Sequence, residues 1–305
     1  MAAKKEADQF TRKWITANSI EIIEKYERGI LTIRALHYQL VGRGMTNSIQ
    51  HYKRVVEAMG VARWAGLVDF EAFSDHDREV MGQTWYQETV LEDKIETGKQ
   101  RVKDWMEWYS KNRWENQHYA PEVWIEKKAL QGVFQRPCEN ARVALAPCKG
   151  YPSLTFLNDA KERFLQMKAD GKEPIILYFG DYDPSGEDIP RSIAENLSKM
   201  GCPVEVKRIA LMEHQVLAWK LPPAPAKVTD SRTMNWDGLG QVELDAVEPN
   251  VLRKLVDDAV AEYFDQKLYS ELLTQASREK AVYQKELKEF VIQLASDIED
   301  EDSDE

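Results

Sequence analysis

The feature that most constrains the fold is an apolar run that ends in two aspartates one residue apart. Residues 174–179 are apolar or aromatic, and Gly180-Asp181-Tyr182-Asp183-Pro184 follows them directly. A short continuous apolar run bounded by turn residues is typical of a strand buried inside a parallel sheet. Open parallel sheets bind ligands at the carboxyl ends of their strands. We therefore expect Asp181 and Asp183 at this edge, pointing the same way because side chains alternate along an extended chain.

The surrounding sequence predicts strands that alternate with helices. The strand candidates are residues 123–125, 141–146, 174–179 and 204–211, and helical periodicity covers residues 153–167 and 189–200. This alternation predicts an α/β domain with a mainly parallel sheet covered by helices. Residues 221–225 are rich in proline and are expected to be an extended loop, and a last helical region is expected over residues 251–294.

A third acidic residue ends another predicted strand. Glu126 follows Val123-Trp124-Ile125 and is itself followed by Lys127 and Lys128. Converging carboxylates repel each other unless they are protonated or bridged by a cation, and Mg²⁺ prefers oxygen ligands. Glu126, Asp181 and Asp183 are therefore the predicted ligands of Mg²⁺. The structural alternative is that these acids cap the helices that follow them.

The N-terminal region predicts short helices in place of strands. Residues 6–28 have amphipathic periodicity, Thr32 is a plausible N-cap for a helix over residues 33–41, and Asn47 or Ser48 caps a third helix that Gly60 closes. The extended residues 66–70 then suggest a helix-turn-helix with a wing, within a domain of residues 1–82. An ordinary three-helix packing unit fits the pattern equally well. Residues 83–118 are expected to form a helical connector whose aromatic side chains are core.

Charge is unevenly distributed along the chain. The net charge is −11, but residues 296–305 hold seven acidic residues and no basic one, which predicts a disordered acidic tail. Residues 32–64 carry the opposite sign. Phosphate neutralisation by Lys and Arg supplies most non-specific affinity for DNA, so this stretch is the candidate DNA-binding surface. Its candidate contacts are Arg43, Lys53, Arg54 and Arg63.

No segment indicates a membrane protein or a disulfide framework. The longest apolar runs are far too short to cross a bilayer, and the first five residues lack an apolar signal core. We therefore expect a cytoplasmic protein. Cys138, Cys148 and Cys202 have neither a C-x-x-C spacing nor an even count, which predicts buried free thiols.

Taken together, these motifs resemble a known family. A strand ending in Glu126-Lys127, then one ending in Asp-x-Asp-Pro-x-Gly, is similar to the Toprim domain of topoisomerase VI A subunits and meiotic double-strand-break transesterases. Upstream, residues 32–38 resemble that family's Thr-x-Arg-x-x-Tyr-Tyr motif, with His37 where relatives usually have an aromatic ring. Over residues 30–250 the chain most resembles the stand-alone topoisomerase mini-A proteins of phages and mobile elements.

The resemblance implies a fold, a reaction and an assembly. It implies a winged-helix domain, then a Toprim-type parallel-sheet α/β domain over residues 119–295. Tyr38 would be the nucleophile, with Arg34 beside it four residues earlier on the same helix face. Mg²⁺ would assist formation of a 5′-phosphotyrosyl end on double-stranded DNA, in a bacterial or phage-infected cell. The family implies a homodimer in which the tyrosine of one subunit meets the metal site of the other, with Lys127, Lys128 and Lys149 as further phosphate contacts.

Three other functions stay open at this point. A Toprim nuclease that does not use its tyrosine would leave free 5′ phosphates. An aspartyl phosphotransferase of the haloacid dehalogenase type also uses Asp-x-Asp, but on its first strand. A non-catalytic DNA-binding regulator would need only the N-terminal module. The chain has no Gly-x-x-x-x-Gly-Lys-Ser/Thr loop, so strand passage driven by ATP would require a separate ATPase subunit.

Overall fold

The computed structural model describes residues 9–73, 90–223 and 240–303, with side chains described to residue 294. These residues form two compact units, one of residues 9–73, 119–223 and 240–263 and one of residues 90–118 and 264–303. The strands are β1 Tyr119–Ile125, β2 Ala144–Pro147, β3 Glu173–Phe179 and β4 Glu205–Ala210. The α-helices are α1 Arg12–Ile23, α2 Ile33–Gly42, α3 Ile49–Trp64, α4 Leu91–Glu107, α5 Gln131–Ala141, α6 Leu154–Ala169, α7 Pro184–Lys199, α8 Glu213–Trp219, α9 Pro249–Ala261 and α10 Gln266–Ser303.

The first unit contains a four-stranded sheet in the order β2-β1-β3-β4, and every neighbouring pair is parallel. The predicted parallel α/β sheet is thereby confirmed. The second strand is shorter than expected, because α5 continues to Ala141 and ends on the left-handed residue Arg142. Asp181 and Asp183 follow β3, the third strand along the chain.

Helices cover both faces of the sheet. Trp124, Ile176 and Tyr178 point to one face and pack on α6 and α7, where the rings of Trp124 and Phe164 stack at 6.4 Å. On the other face Phe179 meets Phe134 of α5, with ring centroids 5.0 Å apart, and α5 packs on α9. Every residue from Pro174 to Phe179 is buried, as expected for a strand with helices on both sides.

The N-terminal part of this unit is a three-helix packing arrangement around its own core. Ile15, Leu36, Leu40 and Met59 are among the buried residues that α1, α2 and α3 share. The predicted N-caps are confirmed, because Thr32 Oγ1 accepts from Ala35 N at 3.0 Å and Ser48 Oγ accepts from His51 N at 3.2 Å.

Two local predictions in this region differ from the structure. Gly60 does not close α3, which runs on to Trp64 because Ala62 continues its buried face, and Gly66 with φ +70° follows the helix instead. In the expected wing, residues 70–72 form a 3₁₀ turn, and an isolated parallel bridge joins Leu31 to Phe73. Within residues 9–73 no β-hairpin forms.

The second unit consists of α4, residues 108–118 and α10. Tyr283 Oη donates to Trp105 O at 2.9 Å, and Lys280 pairs with Glu107 at 2.6 Å, so the two helices contact each other. The last predicted helical region is in fact two helices, α9 and α10, each in a different unit. The helix α10 also continues to Ser303, through most of the segment expected to be a disordered tail.

Across the described part of the chain, no helix combines the length and the apolar character needed to traverse a bilayer.

Replacing Phe164 by Ala should lower the free energy of unfolding by about 3–5 kcal/mol, because it empties a fully buried site against Trp124. Its neighbour Leu165 is 41% exposed, so Leu165→Ala should change stability by roughly 0.5 kcal/mol or less. Urea unfolding followed by circular dichroism measures both. Equal losses in the two variants would contradict the assignment of α6 to the sheet face.

Candidate functional site

The carboxyl ends of β1 and β3 bring Glu126 and Asp181 together. The strand order reverses between these two strands, and such a switch point is where open parallel sheets form a crevice. Glu126 N donates to Phe179 O at 2.9 Å, and Asp181 N donates to Glu126 Oε2 at 2.9 Å. Two residues separated by 55 positions therefore share one hydrogen-bonded edge, as the sequence predicted.

Asp183 has the structural role that was the alternative for these acids. Its Oδ1 accepts from Gly186 N at 2.6 Å, and it is the N-cap of α7. It still lies close enough to Glu126 to act on it electrostatically. Burial raises the pKa of Glu126, the charge of Asp183 raises it further, and the hydrogen bond from Asp181 N opposes the rise.

Lys127 lies at the centre of a second group of acids. Its Nζ is 2.9 Å from Asp181 Oδ2, 3.1 Å from Asp245 Oδ2 and 3.5 Å from Glu243 Oε2. Burial lowers the pKa of Lys127, but the three carboxylates outweigh burial and leave the pKa raised. The ammonium group is therefore a cation held by three acids in a partly buried position, and any phosphate contact by Lys127 would have to compete with these acids.

Asp181 is held from two sides by this arrangement. Lys127 contacts its Oδ2, and Leu244 N donates to its Oδ1 at 2.8 Å. Burial raises the pKa of Asp181 to about 7, against the opposing effect of Lys127 and with a further rise from Glu126. A buried carboxyl with such a pKa binds a proton or a cation readily near neutral pH.

Helix α2 brings Tyr38 and Arg34 to the same acids. The Arg34 guanidinium forms a two-pronged pair with both carboxylate oxygens of Glu243. Burial raises the pKa of Glu243, but Lys127, Arg34 and the nearby Tyr38 phenol outweigh burial and leave the pKa lowered. Burial is the largest cause that raises the pKa of Tyr38; Glu243 adds to the rise and Arg34 opposes it. Tyr38 is only 4% exposed, so its phenol is buried and protonated at neutral pH.

A shallow pocket opens beside the two predicted catalytic side chains. Its lining includes Arg34, Tyr38, Ser48 and Tyr52, and the Arg34 guanidinium lies 5.8 Å from the centre of the Tyr52 ring. His37 also lines the pocket, and burial lowers its pKa. The pocket therefore gives an opening to solvent beside Arg34 and Tyr38.

The remaining predicted DNA contacts lie on the N-terminal helices and near the sheet edge. Arg43 Nη1 pairs with Glu21 at 2.6 Å, and the Arg63 guanidinium lies 5.3 Å from the Phe73 ring, so both have partners within the fold. Lys53 and Arg54 lie on α3, Lys128 begins a 3₁₀ turn, and Lys149 follows β2 in an exposed loop. Gly150 N donates to Glu126 O at 3.1 Å, which puts the Lys149 loop at the edge that carries the acids.

The carboxylates of Glu126, Asp181 and Asp183 are the kind of ligand that a divalent cation prefers, but their positions match a metal site only in part. No group of three or more His, Cys, Asp or Glu side chains in the described residues is arranged to hold a metal ion. Glu126 and Asp181 are oxygen donors whose pKa values burial raises, and a cation would relieve their repulsion. Asp183 already accepts from Gly186 N and Asp181 already contacts Lys127, so a metal would have to share these carboxylates with their present partners.

Sequence reasoning missed the residues that connect the tyrosine to the sheet. Glu243 and Asp245 are buried and lie in a segment that the sequence did not assign to the site. Arg208 was also missed, although its guanidinium donates to Asp181 O at 2.8 Å and to Leu211 O at 2.6 Å. The alternation Val242-Glu243-Leu244-Asp245, with two acids one residue apart, was the only local signal for the first two.

Comparison with protein-family models, curated protein sequences and solved structures gave no significant match to this chain.

Gly186→Ala should destabilise the site, because a Cβ at this position would lie 2.2 Å from Asp181 O. Overpacking against backbone should cost about 1–3 kcal/mol in the free energy of unfolding. Gly60→Ala is the matched control, since nothing lies within 4 Å of its Cβ position, and it should stabilise by about 0.4–1 kcal/mol. Urea midpoints of the two variants should move in opposite directions; a shared direction would count against this close approach.

Glu243→Gln should lower the pKa of Tyr38. The substitution removes a negative charge that disfavours the phenolate and leaves Arg34 and Lys127, which favour it. Titration of ¹³Cζ-labelled tyrosine by NMR, with Tyr38→Phe to assign the signal, measures the change. Glu248→Gln is the control, because Glu248 accepts from Tyr26 Oη at 2.7 Å and should affect only Tyr26. An unchanged Tyr38 signal in Glu243→Gln would show that the two side chains are not coupled.

Proposed function

We propose that this chain is a Mg²⁺-dependent DNA-cleaving transesterase, similar to a topoisomerase VI A subunit, with Tyr38 as nucleophile. In this proposal the three-helix N-terminal part is a winged-helix-like DNA-binding module and the parallel sheet is a Toprim domain. The partner is double-stranded DNA, and the product is a strand end linked through phosphate to the tyrosine.

The observation that supports the proposal most is the connection between Tyr38 and the sheet edge through shared partners. Tyr38 and Arg34 meet Glu243, Glu243 shares Lys127 with Asp181, and Asp181 N bonds Glu126. A nucleophile for phosphoryl transfer needs cations for the phosphate and a nearby metal-binding carboxylate group. These groups come from four parts of the chain that are far apart in sequence and lie together in one unit.

The proposed reaction is a transesterification that conserves bond energy. Tyr38 Oη forms a bond to the scissile phosphorus, the bond from phosphorus to the 3′ oxygen breaks, and that oxygen leaves as a 3′ hydroxyl after taking a proton. The phenolic proton leaves to solvent or to a carboxylate. Arg34 is suited to hold the phosphate, because guanidinium groups bind its oxygens in pairs. Rejoining reverses the same steps.

Glu126, Asp181 and Asp183 are the residues that would hold Mg²⁺. When bound, Mg²⁺ neutralises charge that develops on the phosphate oxygens. Lys127 would compete with the metal for Asp181, because its Nζ lies 2.9 Å from Asp181 Oδ2. A phosphate that reached Arg34 or Lys127 would in turn have to displace Glu243, which contacts both.

The burial of Tyr38 favours a second candidate, a Toprim-type nuclease that does not use the tyrosine. A phenol that is 4% exposed with a raised pKa is a poor nucleophile until DNA binding uncovers it. In that case water attacks the phosphate at the same acids, and the products carry free 5′ phosphates. The two candidates share Glu126 and Asp181 and differ only in Tyr38.

Assembly is part of the proposal. Two staggered nicks require two tyrosines, so a homodimer is expected, and strand passage would require a separate ATPase subunit. The family likeness implies that tyrosine and acids come from different subunits. Within this chain Tyr38 already lies in electrostatic range of Lys127, which favours a site formed within one chain.

Tyr38→Phe should abolish covalent protein–DNA adducts formed on supercoiled plasmid in Mg²⁺, with a loss of at least about a hundredfold because the nucleophile is removed. After denaturation, DNA should enter the protein phase until protease is added, and EDTA should prevent this. Tyr52→Phe is the matched control: Tyr52 lines the same pocket and should keep its adducts.

The outcomes separate the candidates. Nicking without adducts that survives Tyr38→Phe but not Glu126→Gln indicates the nuclease, and no cleavage by the wild-type chain contradicts both. Mixing Tyr38→Phe chains with Asp181→Asn chains tests the assembly. Recovery of adducts in the mixture would show that the two residues act from different subunits.

A further inference from the structure

Helix α4 is the largest regular element that the described part of the chain leaves uncovered. It has 17 residues, and none of them is buried. Isolated helices of this length are marginal in water, and most helices in proteins are stabilised by packing an apolar face. Its apolar residues Leu91, Ile95, Val102 and Trp105 nevertheless follow one another at intervals of four, seven and three residues. This is the spacing of a helix face that packs against other helices.

The exposure of this face is large. Leu91 is 67% exposed, Ile95 49%, Val102 40% and Trp105 64%, and Trp108 just after the helix is 76% exposed. The expectation that the aromatic side chains of this segment are core is therefore wrong for Trp105 and Trp108. Helix α10 of the same unit exposes further large side chains, Leu273, Val282, Phe290, Val291, Ile292 and Leu294.

The exposed area matches what a protein partner would cover. With about 150–250 Å² per aromatic side chain, Trp105, Trp108 and Phe290 alone leave on the order of 400 Å² uncovered. The exposed aliphatic side chains of α4 add to this area, in the direction of the roughly 800 Å² per partner of a standard interface.

Gly98 lies in the middle of the same face. It continues the spacing between Ile95 and Val102, and a Cβ there would meet nothing within 4 Å. Its φ is not positive, so neither backbone conformation nor packing within the described chain requires glycine. Glycine is a poor helix former, and its usual benefit inside a helix is the close approach of another backbone. The position therefore fits a helix crossing.

Charges on either side of Gly98 indicate which partner fits. Glu92, Asp93 and Glu96 precede it, with Lys94 among them, and the next charged residues are Lys99, Arg101 and Lys103. Asp104 and Glu107, further on, have partners within the unit, in Gln100 and Lys280, and Glu96 lies 3.7 Å from Lys99 on the same helix. An antiparallel copy of α4 that crosses near Gly98 would bring the acidic half of each helix beside the basic segment of the other.

We propose that the unit of α4 and α10 is a self-association surface, on which a second copy of this chain packs α4 against α4 in antiparallel orientation with Gly98 near the two-fold axis. Two such helix pairs form a four-helix assembly, a common way to bury one-sided apolar helices. The surface does not depend on the proposed function: the observations that support it are exposure, helix spacing and charge, and it holds for a non-catalytic protein as well.

The test is the oligomeric state of the full-length chain by sedimentation velocity over a range of concentrations. The wild type should be a dimer, and Val102→Glu should raise the dimer dissociation constant at least about a hundredfold. Val61→Glu is the control, because Val61 is 45% exposed on α3 and the substitution should leave the dimer intact. Circular dichroism of the variants shows that the units remain folded.

Two further variants distinguish this interface from other arrangements. Gly98→Gln improves helix propensity, so a monomeric α4 would be unaffected or stabilised, whereas a crossing at Gly98 predicts at least a tenfold weaker dimer. Leu91→Cys should form no intermolecular disulfide, since the antiparallel orientation separates the two cysteines by about 20 Å at 1.5 Å per residue. A monomeric wild type, a dimer that survives Val102→Glu and Gly98→Gln, or ready cross-linking at position 91 would each overturn the proposal. None of these measurements depends on DNA cleavage.

Discussion

The ammonium group of Lys127 is the contact on which the rest of the site depends. Three carboxylates, from Asp181, Glu243 and Asp245, lie within 3.5 Å of it, and two of them belong to a segment more than a hundred residues further along the chain. Buried carboxylates are stable only when they are paired or protonated. Lys127 therefore attaches residues 243–245 to the strand ends, and that segment in turn holds α2 through Arg34 and Tyr38.

The charges in this network offset one another. Arg34 and Lys127 are both paired with Glu243. Glu243 itself is a weak base here, because Lys127 and Arg34 keep its pKa low, so it is poorly matched to accept a phenolic proton. Under the proposed function, a phosphate would replace Glu243 at Arg34, and the same exchange would change the charge around Tyr38.

Local sequence patterns predicted the acids at the sheet edge but not the long-range contacts that complete the site. Asp181 and Glu126 could be placed because each ends an apolar strand, and Thr32 and Ser48 because N-caps are local signals. The pairing of Arg34 with Glu243 spans 209 positions and leaves no periodic trace in the sequence. Lys127 was predicted to contact phosphate, because the local sequence does not show that Asp181, Glu243 and Asp245 surround its ammonium group. The helix end at Gly60 was wrong because apolar packing continued past a glycine.

A high content of basic residues does not by itself show that the N-terminal stretch binds DNA. Of the four basic residues that marked the N-terminal stretch as a DNA surface, Arg43 pairs with Glu21 and Arg63 lies against Phe73. Arg34, in the same stretch, pairs with Glu243. Electrostatic attraction scales with the number of phosphates neutralised, so the contacts of Arg34, Arg43 and Arg63 within the fold lower the DNA affinity that the proposed function could draw from this stretch. Under that proposal, two copies of the chain would double the number of basic residues near DNA, which would couple DNA affinity to self-association.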